Sequence, residues 1–201
     1  MSCPRRVSLS ASTIALMILC APLAAQDLSP ATGEPADSTG VRTFDTLHVT
    51  AEAIARQALQ HRGPVAARTV LRQRLDRDVE KGRRDRGAVD EAWGRLALTT
   101  DRDRVAASAD LVIEAAVEDL TVKREVFAEL DAVCPEHTIL ATNSSNIVSS
   151  RVADATHRPE KVCNMHFFNP APVMKLVEVI HTDETGEDVK ATVHDLCRRT
   201  K

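Results

Sequence analysis

The sequence predicts an α/β fold: an open, largely parallel sheet covered by helices on both faces, with a helical hairpin inserted ahead of it and an antiparallel pair at its edge. Three observations predict it. From residue 109 onward, short apolar runs alternate with amphipathic stretches long enough to serve as crossover helices. Two charged stretches with helical spacing precede that alternation. The apolar runs 161–168 and 173–180 are separated only by Asn169-Pro170-Ala171-Pro172, too few residues for a crossover, so these two strands pair antiparallel.

The 201 residues carry 26 Lys plus Arg against 29 Asp plus Glu, a net charge of −3, and 43% of them are hydrophobic. That suffices for one packed domain and argues against a protein that coats nucleic acid. Aromatic residues make up 2%, with no Tyr and a single Trp, Trp93, so the stacking platforms of single-strand binders are missing. Cys3, Cys20, Cys134, Cys163 and Cys197 include no C-x-x-C pair and read as reduced, mostly buried thiols rather than a disulfide framework or a metal site.

Residues 1–25 read as a signal-like leader: Arg5 and Arg6 form a charged start, Ile14 to Cys20 an apolar run too short to span a bilayer, and Ala24-Ala25 a small-residue end. The unpaired cysteines further on point instead to the cytoplasm, so both locations stay open. Residues 26–45, with Pro30, Gly33, Pro35 and Gly40 among polar residues, read as a linker. A short strand is expected at 46–48 and a helix at 51–60, ended by Gly63-Pro64.

The helical hairpin comprises a helix over 66–81, with Val70, Leu71, Leu75 and Val79 on one face and Gly82 as its stop, and a second over 88–96 with Trp93 inward. The basic cluster from Lys81 to Arg86 is interleaved with Asp85 and reads as a solvated turn. Strands are then expected at 109–115, 138–142 and 161–168, with helices over 120–133 and 147–155 between them. In the first of these helices Val122, Val126, Phe127 and Leu130 point inward, and Lys123 reads as lying on an exposed face where it is solvated or binds an anion.

In open α/β sheets ligands bind beyond the carboxyl ends of the strands. Polar residues gather there: Glu118 after the first strand, Asn143-Ser144-Ser145-Asn146 after the second, and His166 to Asn169 after the third. If the hairpin turns near Ala171 and Pro172, His166 and Glu178 face each other across it. A carboxylate on one imidazole nitrogen fixes the tautomer and makes the other nitrogen a better general base. A histidine satisfied locally, with the glutamate in solvent, is the structural alternative. Ser145 and Asn169 suit an oxyanion stabiliser, or merely a helix cap and a turn starter.

The run from Met165 to Ile180, with His166-Phe167-Phe168-Asn169-Pro170 and Glu178, resembles the signature of L-3-hydroxyacyl-CoA dehydrogenases, including bacterial 3-hydroxybutyryl-CoA dehydrogenases. Asp110 to Glu118 followed by Lys123 is similar to the family's nicotinamide-side segment, and Thr138 to Ser145 to its substrate-serine strand. The similarity covers about residues 66–201. It implies a Rossmann-like doubly wound sheet with NAD as cofactor and an acyl-CoA as substrate. The reaction it implies is the reversible oxidation of an L-3-hydroxyacyl-CoA to the 3-ketoacyl-CoA in fatty-acid or butanoate metabolism. His166 becomes the base, Glu178 its support, Ser145 and Asn169 the holders of the substrate oxygen at the nicotinamide, and Glu118 with Lys123 the cofactor contacts on the ribose side. The resemblance further implies a cytoplasmic protein with neither nucleic acid nor membrane as partner.

The departures from the family carry expectations of their own. No two of the seven glycines, at 33, 40, 63, 82, 87, 94 and 186, lie closer than five apart, so G-x-G-x-x-G is absent and with it the first β-α-β unit. The family's all-helical C-terminal domain, which makes the dimer, is also absent before Lys201. The expectation is an incomplete Rossmann-type domain over 46–201 with impaired NAD binding and a bare sheet edge, or else a non-catalytic binding remnant of the fold, open to export.

Overall fold

The computed structural model describes residues 16–19, 68–96, 102–168 and 174–199; the strand expected at 46–48, the helix at 51–60, the linker and Asn169 lie outside the described residues. Among the described residues, five strands form one sheet in the order β1 (Leu16–Leu19), β2 (Leu111–Glu114), β3 (Ile139–Thr142), β4 (Val162–Phe167) and β5 (Val177–Ile180). β2, β3 and β4 are parallel, as the alternation predicts, and β5 runs antiparallel to β4. The helices are α1 (residues 68–80), α2 (Arg86–Arg95), α3 (Arg102–Ala106), α4 (Leu120–Val133), α5 (Ser150–Ala153) and α6 (Glu187–Arg199).

One expectation about the sheet is corrected. The edge of β2 is not bare: β1, from within the apolar run 14–20, pairs with it antiparallel from Leu16↔Glu114 to Leu19↔Leu111. An open edge presents unpaired N–H and C=O groups, and any extended segment that satisfies them is stabilised there.

Strand alternation divides the core into two layers. Leu111, Ile113, Ile139, Ala141, Cys163, Met165 and Phe167 pack with Val189, Val193 and Leu196 of α6 on one face. Val112, Leu140 and Val162 pack on the other face with Val126, Phe127 and Leu130 of α4 and Val152 of α5. Asp119 caps α4, accepting from the Val122 N–H at 3.0 Å. At its far end Arg158 donates to the main-chain oxygens of Asp131, Cys134 and Pro135 and to the Asp131 carboxylate.

The helical hairpin stands on its own small core of Leu71, Leu75, Val89 and Leu96, with Trp93 partly buried against it. Gly82 closes α1 at φ +66°, with its N–H on Val79 O and the Arg83 N–H on Asp78 O, a Schellman motif in the left-handed region. Asp85 caps α2 by accepting from Ala88 N at 2.9 Å. The basic cluster is a solvated turn tied back to acidic residues, with Arg83 and Arg84 on Asp78 and Arg86 on Asp76.

Candidate functional site

Because Val112, Leu140 and Val162 face α4, the residues two positions along each strand face the same way. Glu114, Thr142 and Asn164 therefore form a polar row across three strands, in the registers Glu114↔Thr142 and Thr142↔Asn164. His166 lies two residues beyond Asn164 on that face, where β4 pairs with β5 in the register His166↔Glu178.

The hairpin brings His166 and Glu178 into contact, Nδ1 to Oε2 at 3.2 Å. The imidazole is 18% exposed and the carboxylate 52%, so the pair sits at the mouth of the site rather than in the core. The Phe168 ring tilts over the imidazole with centroids 4.7 Å apart. With Nδ1–H donated to Glu178, Nε2 keeps its lone pair for a proton arriving from outside.

The second constellation lies where β2 gives way to α4. Lys123 Nζ donates to Glu114 Oε1 at 2.8 Å and Oε2 at 3.0 Å, and stands 3.5 Å from Glu118 Oε2. Glu114 is fully buried and its acceptor sites are filled: Thr142 Oγ1 donates to Oε2 at 2.7 Å and the Ala116 N–H to Oε1. Glu118 accepts from the Ser144 hydroxyl and, at 3.3 Å, from the Asn146 N–H. Partial burial pushes the Glu118 carboxyl upward, but the Ser144 hydroxyl, the Lys123 charge and the Asn146 N–H together hold it below the ordinary carboxylate value.

The loop after β3 is fixed from two sides. Ser144 Oγ accepts from the Ile147 N–H at 2.7 Å, and Asn164 Nδ2 donates to the Ser144 and Ile147 carbonyls at 3.3 and 3.1 Å. Asn143 Oδ1 accepts from the Phe167 N–H at 3.1 Å, tying the ends of β3 and β4 together. Ser145 emerges from this loop exposed to solvent, next to the residues that anchor it.

Of the six residues predicted for the site, the structure pairs His166 with Glu178 and Glu118 with Lys123, leaves Ser145 open on the rim, and does not describe Asn169. Lys123 is a correction: it is 1% exposed and spends its charge on Glu114 rather than standing on a solvated face. Sequence reasoning missed Glu114, Thr142 and Asn164. Their signal was present, since each falls in phase with the apolar residues of its own strand.

For the cofactor the resemblance implies, the residues fit on one side. A carboxylate held ionised and partly open, as Glu118 is, can accept from ribose hydroxyls, and it follows the carboxyl end of β2, at the same end of the parallel strands as His166 on β4, with β3 between them. The pyrophosphate side has no glycine-rich turn among the 201 residues.

Residues 42–201 match the family described as 3-hydroxyacyl-CoA dehydrogenase, NAD binding domain. The chain is 45% identical over 125 residues to a probable 3-hydroxybutyryl-CoA dehydrogenase of Bacillus subtilis, covering 60% of this chain and 43% of that protein. It is 43% identical over 110 residues to the mitochondrial hydroxyacyl-coenzyme A dehydrogenase of Rattus norvegicus, covering 55% of this chain and 35% of the relative. Among solved structures, (S)-3-hydroxybutyryl-CoA dehydrogenase PaaH1 from Ralstonia eutropha superposes with a TM-score of 0.66 at 28% identity, over 82% of this chain and 58% of that one. The chain thus spans less than half the length of the curated relatives it matches.

Proposed function

Because the chain belongs to the 3-hydroxyacyl-CoA dehydrogenase family, by its NAD-binding domain with NAD as cofactor, we propose that it serves the reversible oxidation of an L-3-hydroxyacyl-CoA to the 3-ketoacyl-CoA. The observation that carries this reading is the 3.2 Å contact between His166 Nδ1 and Glu178 Oε2, which leaves Nε2 as the free base at the carboxyl end of the sheet. NAD, when bound, supplies the hydride acceptor for C3 of the substrate. His166 Nε2 takes the 3-hydroxyl proton as that hydride departs, and Glu178 stabilises the imidazolium that forms. Ser145 and Asn169 hold the substrate oxygen, and Glu118, with Lys123 behind it, holds the ribose on the nicotinamide side. We assign the work to the cytoplasm on family resemblance.

The test is oxidation of NADH with acetoacetyl-CoA by the purified protein beside His166→Ala. Activity abolished by the substitution supports the enzyme, and equal background in both overturns it. The missing glycine-rich turn favours a second reading, a non-catalytic binding or interaction module of the same fold; equal background in the two proteins is its outcome in this experiment.

A further inference from the structure

We propose that Glu114 is a positioning residue for the cofactor side of the site: by dividing the Lys123 ammonium between itself and Glu118, it keeps the part-exposed Glu118 carboxylate available as an acceptor. The inference rests on the functional reading above for what Glu118 receives, but its geometry is independent of it. Lys123 Nζ is bidentate to Glu114 at 2.8 and 3.0 Å and only grazes Glu118 at 3.5 Å. Two carboxylates therefore share one cation, and the charge left over resides on the more exposed of the two.

Glu114 is locked into the larger share. Thr142 Oγ1 and the Ala116 N–H occupy its remaining acceptor positions, so its carboxylate cannot rotate to release the ammonium. Thr142 Oγ1 also accepts from the Ser144 N–H at 3.2 Å, and Ser144 in turn donates its hydroxyl to Glu118. One buried carboxylate thus reaches Glu118 by two routes, through Lys123 and through the β3 loop. Without it, Lys123 is free to close on Glu118 and bury the acceptor in an ion pair.

The experiment follows the Glu118 carboxyl by NMR titration of the ligand-free protein and measures NADH binding by fluorescence, for the parent and for Glu114→Gln. In Glu114→Gln the Glu118 carboxyl titrates lower than in the parent. NADH binds about tenfold more weakly, equivalent to about 1.4 kcal/mol, and kcat stays close to the parent while KM for NADH rises. A folded Glu114→Gln whose Glu118 titration and NADH affinity equal those of the parent overturns the proposal. Should that variant fail to fold, Thr142→Val and Thr142→Ser decide. Val unlocks Glu114 and lowers the Glu118 titration in the direction of Glu114→Gln, and Ser keeps the parent value, whereas no difference between them overturns the proposal. A parent that binds no NADH refutes the functional reading, while the Glu118 titration still decides the positioning.

Discussion

Replacing Arg158 with Ala removes one side chain that serves two purposes at once. Its guanidinium donates to Asp131 Oδ1 at 2.6 Å, to the Asp131 carbonyl at 2.7 Å and to the Cys134 carbonyl at 3.3 Å, as well as to the Pro135 carbonyl. These oxygens include the orphan acceptors at the end of α4, and the carboxylate is 5% exposed against 12% for the arginine. Breaking a buried pair from one side costs about 3–5 kcal/mol. Asp131 keeps the His157 N–H at 2.9 Å and the His157 ring at 2.8 Å, so the lower end of that range, about 3 kcal/mol, applies. For a chain of this size that is a fall of about 6–12 °C in Tm. Arg158→Lys keeps the charge but not the fork and recovers less than half of the loss.

The same cluster carries a pH signature. Burial raises the Asp131 carboxyl, but the His157 N–H, the His157 ring and Arg158 outweigh it and hold the carboxyl below its ordinary value of 3.8. A depressed folded-state value contributes stability that is complete above the unfolded value and is lost as pH falls through the folded one. The gap between parent and Arg158→Ala is therefore constant at neutral pH and narrows in the acid range below about 4. Urea unfolding of both proteins at several pH values measures it. A neutral-pH gap below about 0.5 kcal/mol, the range of ordinary surface substitutions, refutes this account of the α4 terminus.

Further expectations concern the site and the thiols. Glu178→Gln lowers kcat about a hundredfold with little change in KM for the acyl-CoA, the scale of a positioned general base; steady-state rates over a pH series check this. Burial pushes the Cys163 thiol up to about 12 and the Cys134 thiol to about 11, so neither reacts with iodoacetamide at mildly alkaline pH until the protein is unfolded. Peptide mapping of the alkylated protein reads that directly. The 201 residues, without a glycine-rich turn for the pyrophosphate, bind NADH about a thousandfold more weakly than a site with that anchor, since about 4 kcal/mol of charge-assisted hydrogen bonds is missing. A fluorescence titration giving a micromolar Kd contradicts it.

What the sequence disclosed depended on how local the signal was. The bounds of α4 at Leu120–Val133 and the antiparallel pairing of β4 with β5 follow from apolar spacing and from a connection too short to cross over. The register that sets His166 opposite Glu178 follows from the same short connection. Lys123 was misread because residue type outweighed phase: it lies four residues before Phe127 and seven before Leu130, on the stripe that α4 buries. Its partner, Glu114, is nine residues earlier on another element, and only the folded sheet brings Thr142 beside it. The pairing of Leu16–Leu19 with β2 was likewise illegible, because an apolar run before a polar linker has the same pattern whether it leads the chain or covers an edge. α6, whose Val189, Val193 and Leu196 close the second face of the sheet, was overlooked among its many charged residues.

The central claim is that Glu178 holds the His166 imidazole with its proton on Nδ1 and its lone pair on Nε2. Isotope-edited NMR of the imidazole nitrogens in the neutral form of the parent and of Glu178→Gln tests this most directly. The account predicts the Nδ1–H tautomer in the parent and a shift of population toward Nε2–H in the variant. An Nε2–H tautomer in the parent, or one population shared by both proteins, contradicts it.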